Sequence, residues 1–167
     1  MTVTELPSPE SPLELLEKIK EDYTLNNYLW TGNIYKPAFE KDCRFTDPTL
    51  SFTGTDQFTS NVENLLPILD FLMEGGENKD KPCNCKSDLL DISLNEEKGY
   101  IQTRWNMVGK FGRLPWKPKI DVIGKTKFWF RMSENKAFRV YFYDEEWEIP
   151  ASQALLQIIT PDSSIEL

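Results

Sequence analysis

The sequence predicts an α+β domain in which amphipathic helices cover the concave face of a curved antiparallel sheet. Apolar side chains recur at helical spacing in the first half of the chain, whereas residues from about 84 to 146 alternate with a two-residue period. Helices followed by a meander of strands are typical of the α+β class. The predicted strands exceed the roughly five or six residues that are usual, so the sheet must curl to pack against helices.

The composition indicates one folded domain. A chain of 167 residues can build a core, and 40% hydrophobic with 13% aromatic residues is too rich for disorder. The net charge of -8 repels nucleic-acid backbones and anionic lipid surfaces, so we expect no nucleic-acid partner. No apolar run approaches the roughly 20 residues that span a bilayer, so we expect no membrane insertion.

The chain contains three cysteines and no histidine. The missing imidazole excludes Ser-His-Asp and Cys-His catalysis and histidine-ligated metals, and we predict no metal and no cofactor. Cys83 and Cys85 cannot complete a four-ligand zinc site, so we expect small buried hydrophobes there. An odd number of cysteines favours a reducing, intracellular compartment: the cytoplasm, or a plastid if a leader peptide is missing from this chain.

Local signals divide the chain into a flexible lead-in over residues 1–10, one domain over 11–160 and a tail over 161–167. Ser11, Pro12 and Glu14 form a capping box that begins a helix from about 12 to 30.

Further signals follow along the chain. Gly32 ends the first helix, and Asn33 caps a short second one. Residues 43–54 form a strand or hairpin arm with a turn at Asp47-Pro48. An apolar stripe that begins at about residue 55 predicts a long helix ending at residues 75 and 76, and Pro150 begins a C-terminal helix.

The strands are predicted at about 84–94, 99–110, 119–132 and 137–145. Strict alternation puts one set of side chains toward the helices, namely Val122, Phe128, Phe130, Phe138, Val140 and Phe142. It puts another set on the outer face, namely Ile123, Trp129, Arg139, Tyr141 and Tyr143. Tyr, Trp and Arg are enriched in protein interfaces, so this outer face is a candidate subunit interface.

Five short strings carry a resemblance to a known family: Thr31-Gly32-Asn33, Cys43-Arg44-Phe45-Thr46-Asp47-Pro48, Arg104-Trp105-Asn106-Met107, Leu114-Pro115-Trp116-Lys117-Pro118, and Asp144 to Trp147. Over about residues 12–150, the chain resembles an uncharacterised branch of the nuclear transport factor 2-like (NTF2-like) superfamily. This branch is known mainly from plants, algae and cyanobacteria and is catalogued as a domain of unknown function.

The resemblance implies a cone-shaped fold with a pocket between sheet and helices, and frequent dimerisation through the outer sheet face. The superfamily includes isomerases, dehydratases, hydrolases and non-catalytic binding proteins, so the fold alone assigns no reaction. The histidine-dependent dehydratase mechanism is excluded, and no counterpart of the isomerase's tyrosine and acid pair or of the epoxide hydrolase's Asp-Arg-Asp set is evident. Expected ligand contacts are Asp47, Trp105, Phe128, Phe130 and Phe142; expected interface residues are Arg104, Trp129, Tyr141 and Tyr143.

Three candidate residues have competing structural interpretations. Asp47 is the best candidate for a general base, but an aspartate before proline more often caps a turn. Trp105, which alternation puts inside with Met107, is more often core than ligand platform. Trp116 lies in a stiff, proline-flanked loop that either docks a partner protein or closes the end of the cone.

We therefore expect a non-catalytic NTF2-like module that binds a small apolar ligand or a partner protein. The alternative is a histidine-independent acid-base enzyme of the isomerase or hydrolase type, acting on a hydrophobic small molecule with Asp47 as base. A further alternative is a homodimeric structural or assembly subunit.

Overall fold

The computed structural model describes residues 6–62, 85–111, 114–133 and 135–161. Their elements, in chain order, are helices α1 (Pro12–Thr24) and α2 (Tyr28–Thr31), a 3-10 turn (Lys36–Ala38), strands β1 (Phe39–Thr46) and β2 (Ser51–Thr53), helix α3 (55–62), strands β3 (Cys85–Asn95), β4 (Tyr100–Lys110), β5 (Lys119–Met132) and β6 (Phe138–Trp147), and helix α4 (Ala151–Ile159). The predicted end of the long helix at residues 75 and 76, the cysteine at 83 and most of the predicted tail lie outside the described residues.

The strands form one curved, six-stranded sheet in the order β2-β1-β6-β5-β4-β3. Strands β3 to β6 are the predicted antiparallel meander, and their observed bounds lie within two residues of the predicted ones. Strand β1 joins the other edge of the meander in parallel with β6, and β2 pairs with β1 as a hairpin. The predicted α+β class is confirmed, and the sheet is mixed through this one parallel pair.

The first helix begins as predicted and ends early. Ser11 Oγ accepts the backbone N–H of Glu14 at 3.1 Å, and Glu14 Oε2 accepts the N–H of Glu10 at 2.8 Å. Helix α1 ends at Thr24 instead of about residue 30, because Asn27 adopts a left-handed conformation with φ 48°. The Asn27 side chain then bonds to Ser87 at 2.7 Å and holds the kinked helix pair against β3.

The turn that follows α2 packs closely against α3. Gly32 has φ 70°, as predicted for a left-handed helix stop, and a Cβ built there would lie 2.7 Å from Cβ of Val62. The predicted second helix from Asn33 is wrong: the chain makes only a 3-10 turn, and Phe39 already begins β1.

Strand β6 contains a β-bulge that overturns part of the predicted alternation. Trp129 pairs with Phe142 and Phe130 pairs with Val140, so Tyr141 is an extra residue in β6. After Tyr141, each side chain of β6 lies on the face opposite to the one that strict alternation predicts. Tyr143 is 3% exposed and lies in the core, whereas the half-buried Phe142 lies opposite the exposed Arg44 on the outer face. The predictions that Phe142 points inward and that Tyr143 points outward are therefore both wrong.

The core lies between the inner face of the sheet and helices α1 and α2. Its largest fully buried side chains are Trp105, Tyr23, Tyr28, Phe45, Phe128, Leu15, Ile19, Ile101, Val122, Val140 and Thr103. Part of the predicted lead-in also contacts the domain: Pro9 O accepts the N–H of Phe138 at 2.8 Å, and Pro7 O accepts the hydroxyl of Tyr35 at 2.5 Å.

The two cysteines within the described ranges differ in oxidation state. Cys43 is a free, buried thiol, whereas Cys85 is disulfide-bonded. The expectation that Cys85 is a reduced, buried hydrophobe is therefore wrong. Within the described ranges, no helix has the length and apolar character needed to cross a bilayer.

Candidate functional site

A row of polar side chains crosses the inner face of the sheet. Thr103 of β4 pairs with Thr126 of β5, which pairs with Glu145 of β6, so the three side chains point to the same face. Thr103 and Thr126 are fully buried, and Glu145 is half-buried. Buried polar groups are costly unless they are hydrogen-bonded, so this row needs partners from the helices that cover it.

Three tyrosines supply those partners in one continuous chain of hydroxyls. Tyr23 of α1 lies 2.7 Å from Thr103 Oγ1, and Tyr28 of α2 lies 2.9 Å from the Tyr23 hydroxyl. The Tyr28 hydroxyl is also 2.9 Å from that of Tyr143 on β6. Tyr143 donates to Glu145 Oε1 at 2.7 Å. The chain therefore links the buried threonine on β4 to the half-buried carboxyl on β6.

The chain has a direction that depends on the protonation of Glu145. Each hydroxyl carries a single hydrogen. Tyr28 donates its hydrogen to Tyr23 and Tyr143 donates its hydrogen to Glu145, so neither has a hydrogen left for the contact between Tyr28 and Tyr143. A protonated Glu145 that donates to Tyr143 frees the Tyr143 hydrogen for Tyr28, and the bonds from Glu145 to Tyr23 then all run in one direction.

Burial controls the acidity of these groups. Desolvation raises the pKa of Glu145 to about 7, although hydrogen bonds from Tyr143 and from Trp147 Nε1, 3.1 Å from Oε2, act in the opposite direction. Desolvation also raises the pKa values of Tyr23, Tyr28 and Tyr143 above the ordinary range. The tyrosines thus stay protonated near neutral pH, and Glu145 is the group in the chain that exchanges a proton there.

Trp105, a predicted ligand contact, is packed against this row. Its Nε1 donates to Thr126 Oγ1 at 2.9 Å, and the side chain has no exposed surface. The ring lies over Gly124, where an added Cβ would be 2.6 Å from Trp105 Cη2 and 2.8 Å from Glu146 O. Phe128 and Phe130 are also buried in the core. The structure brings these three predicted contacts together on the inner face, beneath the helices.

Asp47, the predicted base, caps the turn between β1 and β2. Its Oδ1 accepts the N–H of Thr49 at 2.7 Å, the hydroxyl of Thr49 at 2.6 Å and the N–H of Leu50 at 3.0 Å. This is the turn-capping role that is common for an aspartate before proline. The negative charge of Asp47 still contributes to the raised pKa of Glu145.

A second buried carboxyl, Asp22, has a structural role. It accepts the N–H of Tyr35 at 3.0 Å and the side-chain amide of Asn26 at 2.9 Å, so it ties α1 to the segment before β1. Desolvation raises its pKa to about 7.

The outer face is chemically different from the inner one. Arg104 donates to both oxygens of Glu148, at 2.7 and 3.1 Å, as expected for an outward arginine with an acidic partner. Trp129 packs against Tyr100 with ring centroids 4.9 Å apart, and the guanidinium of Arg131 lies 4.5 Å from the ring centre of Tyr141. Of the four predicted interface residues, Tyr143 alone is absent from this face.

Trp116 contacts the C-terminal helix. Its Nε1 donates to the carbonyl of Ile158 at 2.7 Å, while 40% of the residue stays exposed. The loop is therefore anchored on α4 and still presents part of its indole to solvent.

Sequence reasoning missed the tyrosine chain and Glu145. Strict alternation predicts Tyr143 on the outer face, and no sequence signal assigns a role to Glu145. The one available signal is the spacing of Tyr143 and Glu145 in the sequence. Because they are two residues apart on one strand, their side chains lie on the same face of the sheet.

Comparisons with known proteins agree with the fold. Residues 13–141 match the family described as an uncharacterized conserved protein, DUF2358. No curated protein sequence matches the chain. Among solved structures it is similar to Bal32a from a soil-derived mobile gene cassette, with TM-score 0.58 and 13% identity over 87% of this chain and 98% of that one.

Two further structures are also similar. One is a Catenulispora acidiphila protein with a ketosteroid isomerase-like fold, in complex with trimethylamine, with TM-score 0.55 and 15% identity over 89% of this chain and 94% of that one. The other, from Jannaschia sp. CCS1, is described as a SnoaL-like polyketide cyclase, with TM-score 0.55 and 12% identity over 97% of this chain and 99% of that one. At these identities the likeness concerns the fold. The chain belongs to the DUF2358 family and has the NTF2-like, ketosteroid isomerase-like fold.

Proposed function

We propose that this chain is a binding module for a small, largely apolar molecule, and that Glu145 recognises the one polar group of that molecule. The observation that carries the proposal is the half-buried Glu145 carboxyl, with its pKa of about 7, at the end of a buried chain of hydroxyls. A site with few polar groups among apolar side chains is typical of small-molecule pockets.

The surroundings of Glu145 support an apolar ligand. Trp147 and Phe58 are half-buried and lie next to Glu145 and Tyr143, so apolar surface near this end of the inner face is incompletely covered. Trp105 and Phe128 have almost no exposed surface. In this proposal they form a rigid floor beneath the ligand, and the direct apolar contacts come from the half-buried side chains.

A ketone tests the recognition step, because protonated Glu145 can donate a hydrogen bond to its carbonyl. We expect 1-tetralone, followed by calorimetry, to bind roughly tenfold more tightly at pH 6 than at pH 8.5, since the donor form is lost as pH rises through the raised pKa. Glu145→Gln keeps an N–H donor, so its binding should be independent of pH over this range.

Two controls make this test specific. Glu146→Gln removes the same charge from the adjacent, exposed residue and should keep the wild-type pH dependence. Tetralin, which lacks the carbonyl, should bind with no pH dependence. Absence of 1-tetralone binding at millimolar concentration, or an identical pH profile in wild type and Glu145→Gln, would contradict the proposal.

Acid-base catalysis is the second candidate, favoured by the pKa of about 7 on Glu145. Glu145 replaces Asp47 as the proposed base, because Asp47 already accepts three hydrogen bonds in its turn. The carboxylate would take a proton from the carbon next to a carbonyl, the C–H electron pair would form a carbon–carbon double bond, and the π pair of the carbonyl would move to its oxygen. A solvent proton would then return to carbon, and the carbonyl would re-form. Deuterium exchange at that carbon of 1-tetralone that is faster with the wild type than with Glu145→Gln would support catalysis. Equal exchange rates would contradict catalysis by Glu145 and would be consistent with binding alone.

We also infer that a second copy of the chain docks on the outer sheet face. Trp129, Tyr100 and Tyr141 offer aromatic surface there beside arginine side chains, a composition enriched in interfaces. Tyr141→Glu should then convert a dimer to a monomer in light-scattering mass measurements, and a monomeric wild type would refute the inference.

Two finer inferences rest on the resemblance. We place the chain in the plant, algal and cyanobacterial branch of its superfamily, and its site of action in the cytoplasm or a plastid. Because Cys85 is disulfide-bonded, thiol counting on protein from its native source provides a test: an oxidised Cys85 argues against a strongly reducing compartment.

A further inference from the structure

A wide groove of about 1020 Å³ lies beside the turn of the β5–β6 hairpin. Its walls come from the 3-10 turn, β1, the start of α3, the hairpin and the N-terminal segment. Leu6 and Met132, both exposed, contribute apolar surface to these walls. None of the inner-face residues that surround Glu145 lines this groove, so it is separate from the site proposed above.

The charge of the groove differs from that of the whole chain. Four basic side chains and three acidic side chains line it, so its lining is net positive in a chain of net charge -8. The basic residues are Lys36, Lys41, Arg131 and Arg139; the acidic residues are Glu40, Asp42 and Asp56. This local excess of positive charge attracts anions.

Two of the basic side chains are already neutralised. Lys36 lies 3.0 Å from Asp56, and Arg131 forms a two-pronged pair with Glu40 in which both distances are 2.7 Å. Such pairs leave little attraction for a further anion. Besides these pairs, the described part of the lining contains one acid, Asp42, and two basic residues, Lys41 and Arg139, so the remaining charge of the groove is positive.

Arg139 is the half-buried one of those two. Its Nε donates to Pro37 O at 3.3 Å, its Nη1 to Ser133 Oγ at 3.1 Å and its Nη2 to Ser8 Oγ at 2.8 Å. All three acceptors are neutral. Over the residues that the structure describes, no carboxylate lies within ion-pair distance of Arg139 and no acceptor takes the second N–H of Nη1 or Nη2.

A partly desolvated guanidinium with neutral acceptors lacks the counter-charge that usually accompanies it. Three fixed hydrogen bonds also hold its plane in one orientation, which suits two-pronged recognition of an oxyanion. Lys41, exposed on the same groove, adds a second cation without an ion-pair partner in the described part of the chain.

We propose that this groove binds a small amphipathic oxyanion: its carboxylate or phosphate group pairs with Arg139 and Lys41, and its apolar part lies against Leu6 and Met132. The alternative is a purely structural role, in which Arg139 only ties the N-terminal segment to the hairpin. A structural role does not account for the net positive charge of the lining or for the N–H groups that lack an acceptor among the described residues, and it predicts no affinity for anions.

Calorimetric titration with octanoate, octyl phosphate and 1-octanol tests the proposal. We expect saturable binding of at least one of the two anions and at least tenfold weaker binding of the neutral alcohol. The stronger of octanoate and octyl phosphate identifies the oxyanion class. Equal affinity for the alcohol and both anions, or no detectable binding of either anion at millimolar concentration, would overturn the proposal.

Variants locate the site. Arg139→Gln should weaken anion binding at least fivefold, and Arg139→Lys, which keeps the charge and loses the planar fork, should weaken it less. Lys41→Gln, at an exposed position where folding is not at risk, should weaken binding about threefold, while the matched Lys125→Gln on the outer face should have no effect. Unchanged affinity in both Lys41→Gln and folded Arg139→Gln would refute the assignment.

Discussion

Glu145 and Glu146 are neighbours on β6, but they lie in different chemical environments. Glu145 lies on the inner face, where Tyr143 and Trp147 bind its two oxygens and burial raises its pKa to about 7. Glu146 is exposed on the outer face, where charges such as Arg104 and Glu148 pair in contact with solvent. The same side chain is thus a proton-exchanging group on one face and a solubilising charge on the other.

The largest difference between the faces should appear when a tryptophan is removed from each. Trp105→Ala deletes a fully buried ring together with the partner of Thr126, and we expect a loss of about 3–5 kcal/mol in the free energy of unfolding. The matched change Trp129→Ala removes a half-buried ring and should cost about 1 kcal/mol. Urea denaturation measures both; equal losses would show that the inner face is not the principal core.

The hydroxyl chain should be the next most sensitive feature. Tyr28→Phe removes the central hydroxyl and leaves those of Tyr23 and Tyr143 each with one partner fewer, so we expect a loss of about 1–3 kcal/mol. Tyr141→Phe on the outer face makes the same chemical change and should cost under about 0.5 kcal/mol. A Tyr28→Phe protein as stable as wild type would mean that the chain contributes nothing to stability.

The buried carboxyls should also make stability depend on pH. The pKa values of Asp22 and Glu145 are raised in the folded state, so the native protein binds more protons than the unfolded chain between about pH 4 and 7. Their contribution to stability is present at low pH and is lost as pH rises through 7. We expect the free energy of unfolding to be lower at pH 8 than at pH 5.5, by on the order of 1–2 kcal/mol.

Carboxamide variants separate the two groups in this experiment. Asp22→Asn and Glu145→Gln should each flatten the curve measured by urea denaturation, and the double variant should flatten it most. Glu146→Gln is the matched control and should keep the wild-type slope. A wild-type stability that rises between pH 5.5 and 8 would contradict both assignments.

The smallest effect is expected for the exposed ion pair. In the monomeric Tyr141→Glu background, Arg104→Gln breaks the contacts with Glu148 while both side chains remain accessible to water, so the melting temperature should not change measurably. The same change in the otherwise wild-type chain should lower the melting temperature, because the proposed dimer covers the pair; an unchanged value there would contradict docking on this face.

Sequence reasoning recovered those parts of the fold that local patterns specify. The capping box at Ser11, the helix stop at Gly32 and the turn at Asp47 were all predicted, because each depends on a few adjacent residues. The strands were located within two residues because alternation over ten or more positions is a strong signal.

The candidate site was not recovered, because it depends on one inserted residue. Aromatic side chains flank the bulge at Tyr141 on both faces, so the alternation looks continuous through Phe142 and Tyr143. The shift that turns Tyr143 and Glu145 inward arises from pairing with β5, which no local pattern contains. Similarly, the end of α1 depends on Asn27, whose side chain binds a strand about 60 residues away in sequence.

The pKa of Glu145 is the most direct test of this account. Carbon-detected NMR of the Glu145 carboxyl, assigned by its loss in Glu145→Gln, should show a titration midpoint of about 7. Tyr143→Phe should shift that midpoint upward, because it removes a hydrogen bond that favours the ionised form. A midpoint near the ordinary value of 4.5 would mean that Glu145 is solvated, and the proposed recognition site would fail.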